Sequence, residues 1–179
     1  MLPSATKKNF LIFWLSGWAL FCCIVALEPP QPPGITGFDM EAHRMAGSAE
    51  TVNTIHAYWQ GEGVYNRALW SLVVDMLFIT AISIGGILGG RLLQQNEAKT
   101  VRFIGLVAIA AHAVFWLVDY GETLSQLVQM VHGQGYDILA GIAAFMRPIK
   151  LLVFLIGFLA LVIGYGASRI LSTTGQSKP

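Results

Sequence analysis

A chain of 179 residues that is 55% hydrophobic and only 12% charged is too apolar for an ordinary soluble domain and long enough for one compact membrane bundle. A net charge of +1, with no basic run beyond Lys7-Lys8, excludes the electrostatic footprint of a nucleic-acid-binding protein. The two cysteines, Cys22 and Cys23, are adjacent, which fits neither redox nor metal-ligand spacing, and they are read as buried, inert thiols.

The first apolar run, 10–27, follows Lys7 and Lys8 as a signal sequence would. It is longer than a typical h-region, and Glu28-Pro29-Pro30 supplies no small-residue cleavage site, so a retained span is expected. The stretch from Pro29 to Gly34 is proline-rich and must leave the membrane extended. Within an outer segment, 28–66, two short helices are predicted over 38–46 and 49–60, split at Gly47, with Ser48 capping the second. Met45, Val52, Ile55 and Trp59 form their apolar stripe.

Further spans are expected at 68–90, 101–120 and 149–167, each long enough to cross about 30 Å of hydrocarbon. None shows the alternation of a barrel strand, and lipid cannot satisfy free backbone groups, so the fold class is all-α: a polytopic four-helix membrane bundle forming a single domain. The third helix should continue past Tyr120 until Gly133-Gln134-Gly135 breaks it. An outer loop then returns the chain, completing the segment 121–148, and Pro148 occupies the first turn of the fourth span. Lys7, Lys8, Arg91, Lys99, Arg102, Arg169 and Lys178 fall on one side of the spans, against Arg44, Arg67, Arg147 and Lys150 on the other. The richer side is expected to be cytoplasmic, with both termini there, in a bacterial inner membrane.

The remaining charges concentrate at the outer ends of the spans. A charged side chain at a helix centre costs roughly 2.5 to 3.5 kcal/mol on insertion scales, so each needs a partner or a purpose. His112, Trp116, Asp119 and Thr123 share one face of the third helix, with Glu122 and Gln126 at its shoulder. Asp75, in the second span with Ser71 one turn before it, is expected to be the most deeply placed carboxylate in the chain. Arg147 and Lys150, one turn apart, lie level with Asp119 and Glu122. Asp75, His112, Trp116, Asp119, Glu122, Arg147 and Lys150 are therefore the candidate pocket, read either as an ion-pair network that locks helices together or as a polar pocket that opens outward.

No metal site is expected, because His112, Asp119 and Glu122 lack a diagnostic spacing. A single histidine within the spans cannot build bis-histidine haem ligation, and the sequence identifies no cofactor. No nucleophile elbow occurs. Gly85, Gly86, Gly89 and Gly90 form two overlapping G-x-x-x-G patterns, and Gly157, Ala160, Gly164 and Ser168 line the fourth span; both sets are read chiefly as helix contacts within the chain. Trp59, Tyr65, Trp70, Trp116, Tyr120 and Tyr136 are read as an aromatic belt.

Trp59-x-x-x-Gly63, Leu72-Val73-Val74-Asp75-Met76-Leu77-Phe78 and Asp119-x-x-Glu122 resemble segments of a group of bacterial four-helix integral membrane proteins without an established activity, with Thr123 standing where asparagine is usual. The resemblance implies the four-span topology and the choice of acids, and no reaction. The leading expectation is a membrane binding or accessory protein whose outward pocket takes a lipid or a membrane-protein partner. An enzyme using Asp75 or Glu122 as general acid or base is the alternative, an oligomeric transporter a weaker one, and a homo-oligomer remains a possible assembly.

Overall fold

The structure, a computed structural model, describes residues 4–30 and 36–175. Six helices follow in order: α1 (Ser4–Leu27), α2 (Met40–Arg44), α3 (Ala49–Gly61), α4 (Tyr65–Gln94), α5 (Lys99–His132) and α6 (Asp137–Gly175), with no strand among the described residues. α1, α4, α5 and α6 are each long and apolar enough to cross a membrane. Even α1, with 24 residues, is about 36 Å long at 1.5 Å per residue, more than the thickness of hydrocarbon.

Local chemistry sets the ends of several helices. The Ser48 hydroxyl accepts from the Thr51 amide at 3.3 Å and Asp39 accepts from the Ala42 amide at 2.7 Å, so α3 and α2 each begin on a capping side chain. α3 and α5 end alike. Gly63 and Gly133 have φ of +68° and +64°, and the amides of Val64 and Gln134 reach back to Trp59 and Gln129 carbonyls at 2.9 and 3.1 Å.

Several expectations are corrected. α6 begins at Asp137, so most of the predicted outer loop before 148 is helical and Pro148 lies inside the helix rather than in its first turn. Proline removes one backbone bond there, which a long helix with many other bonds tolerates. The first short helix is only Met40–Arg44, and Met45 is exposed while Val52, Ile55 and Trp59 are buried. Cys22 and Cys23 are exposed, because α1 is apolar all round and buries only a narrow strip of its surface. Residues 31–35 of the proline-rich stretch lie outside the described residues.

The chain forms two compact units. Unit 1 comprises Met1–Gly17, Thr80–Trp116 and Leu151–Pro179; unit 2 comprises Trp18–Ile79 and Leu117–Lys150. Leu93, Val101, Ala108, Ala160 and Leu161 make the core of unit 1, flanked by Trp14 and Tyr165. Here the predicted small-residue contacts are realised. A Cβ on Gly90 would lie 2.6 Å from the Gly105 carbonyl oxygen of α5, and one on Gly85 3.2 Å from the Trp14 amide nitrogen of α1. Gly89 meets Phe10 and Leu161, and Gly164 meets Leu93, so each of these glycines permits a close approach to another helix.

Unit 2 has its own core of Met40, Ile55, Trp59, Ala68, Leu72 and Met130. Polar groups at its edges tie the short helices down. Trp59 Nε1 donates to the Phe38 carbonyl at 2.6 Å, and Tyr65 Oη donates to the Met130 carbonyl at 2.6 Å. The amides of Ala49 and Gly135 donate to Asp137 and Asn53 side chains at 2.7 and 2.6 Å. Trp59 is fully buried, so it belongs to this core and not to an aromatic belt.

Candidate functional site: a buried charge network

Asp75, Asp119, Glu122, Arg147 and Lys150 come together in unit 2, as their helical spacing suggests. α5 presents Asp119, Glu122, Thr123 and Gln126 on one buried face. α6 brings Arg147 and Lys150, and α4 brings Asp75. Lys150 Nζ donates to Asp119 Oδ1 at 2.6 Å and lies 2.9 Å from Glu122 Oε1, a charge-assisted clamp on two carboxylates one turn apart. Gln126 Nε2 donates to the same Glu122 oxygen at 3.2 Å, and Thr123 Oγ1 donates to Asp75 Oδ2 at 3.4 Å.

The centre of this network is Arg44, a residue that sequence reasoning used only to count charges. Its guanidinium is buried, 3.8 Å from Asp75, 3.9 Å from Glu122 and 3.6 Å from Glu28. Burial opposes the guanidinium charge, but the carboxylates of Asp75, Glu122, Glu28 and Glu41 outweigh it and raise the arginine pKa above its ordinary value. Glu41, one turn before Arg44 on α2, binds Arg147 through both of its oxygens, the Nε contact being 3.0 Å. Arg147 itself lies 3.9 Å from Glu122. Three cations, Arg44, Arg147 and Lys150, thus meet three buried acids, Asp75, Asp119 and Glu122, with the more exposed Glu28 and Glu41 at the rim.

Beside the network stands a second buried polar element, again unanticipated. His43 and His56 lie with Nε2 atoms 3.0 Å apart, their rings tilted by 24° and enclosed by Trp59 and Tyr65. One imidazole must donate Nε2–H and the other accept it, so at least one of the two is neutral. Burial, followed by repulsion from His56, lowers the His43 pKa to about 3, and burial lowers that of His56 to about 4. The sequence did carry one signal for α2: Glu41 and Arg44 one turn apart behind Asp39.

His112 and Trp116 fall in unit 1 rather than among these residues. His112 is fully buried, donates Nδ1–H to the Ala108 carbonyl at 2.8 Å and meets Trp14 edge-on. Gly86 and Gly157 make room for its ring: a Cβ on Gly86 would lie 2.0 Å from the imidazole Cδ2, and one on Gly157 would lie 2.7 Å from Nδ1. This is a packed histidine whose Nδ1 is held by one backbone bond and whose Nε2 is buried without a hydrogen-bond partner.

The pairing matches three cations to the three buried acids, yet the hydrogen bonding around them is incomplete. Glu122 Oε2, Gln126 Oε1, Arg44 Nε, His43 Nδ1 and Ser71 Oγ are all buried without a hydrogen-bond partner. Each such group carries a desolvation cost of about 1 to 3 kcal/mol or more, so a cluster of them marks a place where polar atoms are wanted. Among the described residues no group of three or more histidine, cysteine, aspartate or glutamate side chains is arranged to hold a metal ion. No family model, no curated protein and no solved structure matches this chain.

Proposed function

We propose that this is a small integral membrane binding protein of a bacterial inner membrane, with both termini cytoplasmic and the 28–66 segment on the outer side. Its four apolar helices span the bilayer, and α2 and α3 cover the charge network of unit 2. The network receives the polar headgroup of a lipid; a polar segment of a membrane partner is the second class of occupant that the same chemistry admits. What carries the reading is the set of buried, unpartnered atoms around Arg44 and Glu122. It offers both donors (Arg44 Nε) and acceptors (Glu122 Oε2, Gln126 Oε1), the mixture that a headgroup bearing both kinds of group would meet. Against a general acid or base stands the pairing itself, since Asp75, Asp119 and Glu122 each lie within 4.0 Å of a cation.

Native mass spectrometry of protein released gently from membranes tests this. The wild-type chain is expected to keep a lipid or a protein partner, and Asp75→Asn and Glu122→Gln are each expected to lose it while retaining helicity. Unchanged retention in both variants sinks the proposal.

A further inference from the structure

The close contacts of Glu122 fall on one of its two oxygens. Lys150 Nζ lies 2.9 Å from Oε1, Gln126 Nε2 donates to it at 3.2 Å, and Arg44 Nε and Arg147 stand 3.9 Å from it. Oε2, on the same fully buried carboxylate, has no hydrogen-bond partner, and neither has Arg44 Nε. Gln126 Oε1 is a third such atom. A carboxylate only accepts, so the amide nitrogen must face Glu122 and the amide oxygen is left over. The Gln126 side chain also reaches His43, but an amide oxygen has two lone pairs and can serve a second donor. Two acceptors and one donor thus stand around a single carboxylate oxygen, all within unit 2.

The cations and buried acids already answer one another, so what is missing is hydrogen bonding and not charge. An ammonium would satisfy Glu122 Oε2 but would be repelled by Lys150, Arg44 and Arg147 around the same carboxylate. A phosphate oxygen would satisfy Arg44 Nε, yet it only accepts and gives nothing to Glu122 Oε2 or Gln126 Oε1. A hydroxyl does both without charge, since its O–H donates while its oxygen accepts. Two acceptors call for two hydroxyls, and the closed packing, with Glu122 0% and Gln126 1% exposed, favours a small diol over a sugar ring. We propose that the network takes the terminal diol of a glycerol headgroup, one hydroxyl donating to Glu122 Oε2 and the other to Gln126 Oε1, with Arg44 Nε donating to a diol oxygen. The inference rests on the reading of the network as a lipid headgroup site and names the group that it recognises.

The full chain is reconstituted in vesicles of equal phosphatidylglycerol and phosphatidylmethanol, which carry the same phosphate charge and differ in the diol. It is then extracted gently and its bound lipid counted by native mass spectrometry. Wild type is expected to hold phosphatidylglycerol over phosphatidylmethanol about tenfold, the effect of one charge-assisted bond. Arg44→Lys keeps the charge and removes Nε, and Gln126→Leu removes the amide oxygen and keeps every ion. Each should lower the preference about fivefold while circular dichroism shows retained helicity. Free glycerol in excess during extraction should leave the count unchanged; displacement would assign the site to a soluble polyol and overturn the lipid. Retained lipid at parity in wild type, or a preference that survives in both folded variants, overturns the diol and leaves the headgroup reading standing. A wild type that keeps neither lipid overturns the headgroup reading and the diol with it.

Discussion

The two units solve the problem of helix association in opposite ways. In unit 1 the interfaces are made by taking side chains away: Gly85, Gly86, Gly89, Gly90, Gly105, Gly157 and Gly164 let neighbouring backbone, aromatic rings and one imidazole approach closely. In unit 2 they are made by adding long charged side chains, with Arg44, Arg147 and Lys150 reaching three buried acids. The first arrangement gains dispersion and leaves two buried side-chain atoms, His112 Nε2 and Ser83 Oγ, unpartnered among the described residues; the second gains Coulomb attraction but desolvates ions, and leaves more, Glu122 Oε2 among them. The difference teaches where ligand chemistry belongs in such a chain. The charge-lined interface leaves more buried atoms without a partner than the glycine-lined one.

Breaking the charged side of this comparison should produce the largest effect. Arg44→Ala strands Asp75 and Glu122 in a buried site, and a loss of about 3 to 5 kcal/mol is expected, read from denaturation in mild detergent. Adding Asp75→Asn to that variant should recover part of the loss; absence of any recovery would show that Arg44 acts through packing alone.

Acid is the next lever, and it acts on unit 2. His43 and His56 fold neutral with pKa values lowered to about 3 and about 4 from an ordinary 6.5, so the unfolded segment binds more protons than the folded one. Their contribution is complete above about pH 6.5 and is lost as pH falls toward about 4, by about tenfold in the folding equilibrium per pH unit for each proton taken up. Hydrogen exchange of α2 and α3 against pH should follow this slope, and His43→Phe should flatten it.

On the glycine side, Gly86→Ala forces a methyl group into the His112 ring and should cost about 1 to 3 kcal/mol. The sharper measurement is the double variant Gly86→Ala/His112→Ala, in which the two size changes oppose each other; failure to rescue would separate the glycine from the histidine. The smallest expected effect is Ser48→Ala, which removes the cap of α3 and should cost about 1 kcal/mol with no change at unit 1, visible as faster exchange at the Thr51 amide.

How much of this was legible in the chain depends on the range of the interactions involved. The four long helices, the Ser48 cap, the stop at Gly133 and the gathering of Asp119, Glu122 and Lys150 all follow from spacing along a helix, which repeats every 3.6 residues. Arg44 escaped because its partners are remote in sequence: Asp75 is 31 positions away and Glu122 78, and nothing local distinguishes it from a surface arginine. The His43–His56 pair escaped for the same reason, since two histidines on different short helices become a pair only when α2 packs on α3. His112 was placed with the acids because it shares their helical face, but helical phase fixes a direction, not the neighbours met at each level along the axis.

The sequence by itself determined the helical class, the apolar runs, the small-residue contacts of α4 and the acids that lie together on α5, because hydrophobicity, helical period and the size of glycine act locally. Only the tertiary structure decided which cation answers which acid, that α2 supplies the central one, that Trp59 is core, and that His112 is packed between Gly86 and Gly157. Those outcomes depend on a few ångströms of separation between helices, and Coulomb and hydrogen-bond energies are set at that scale.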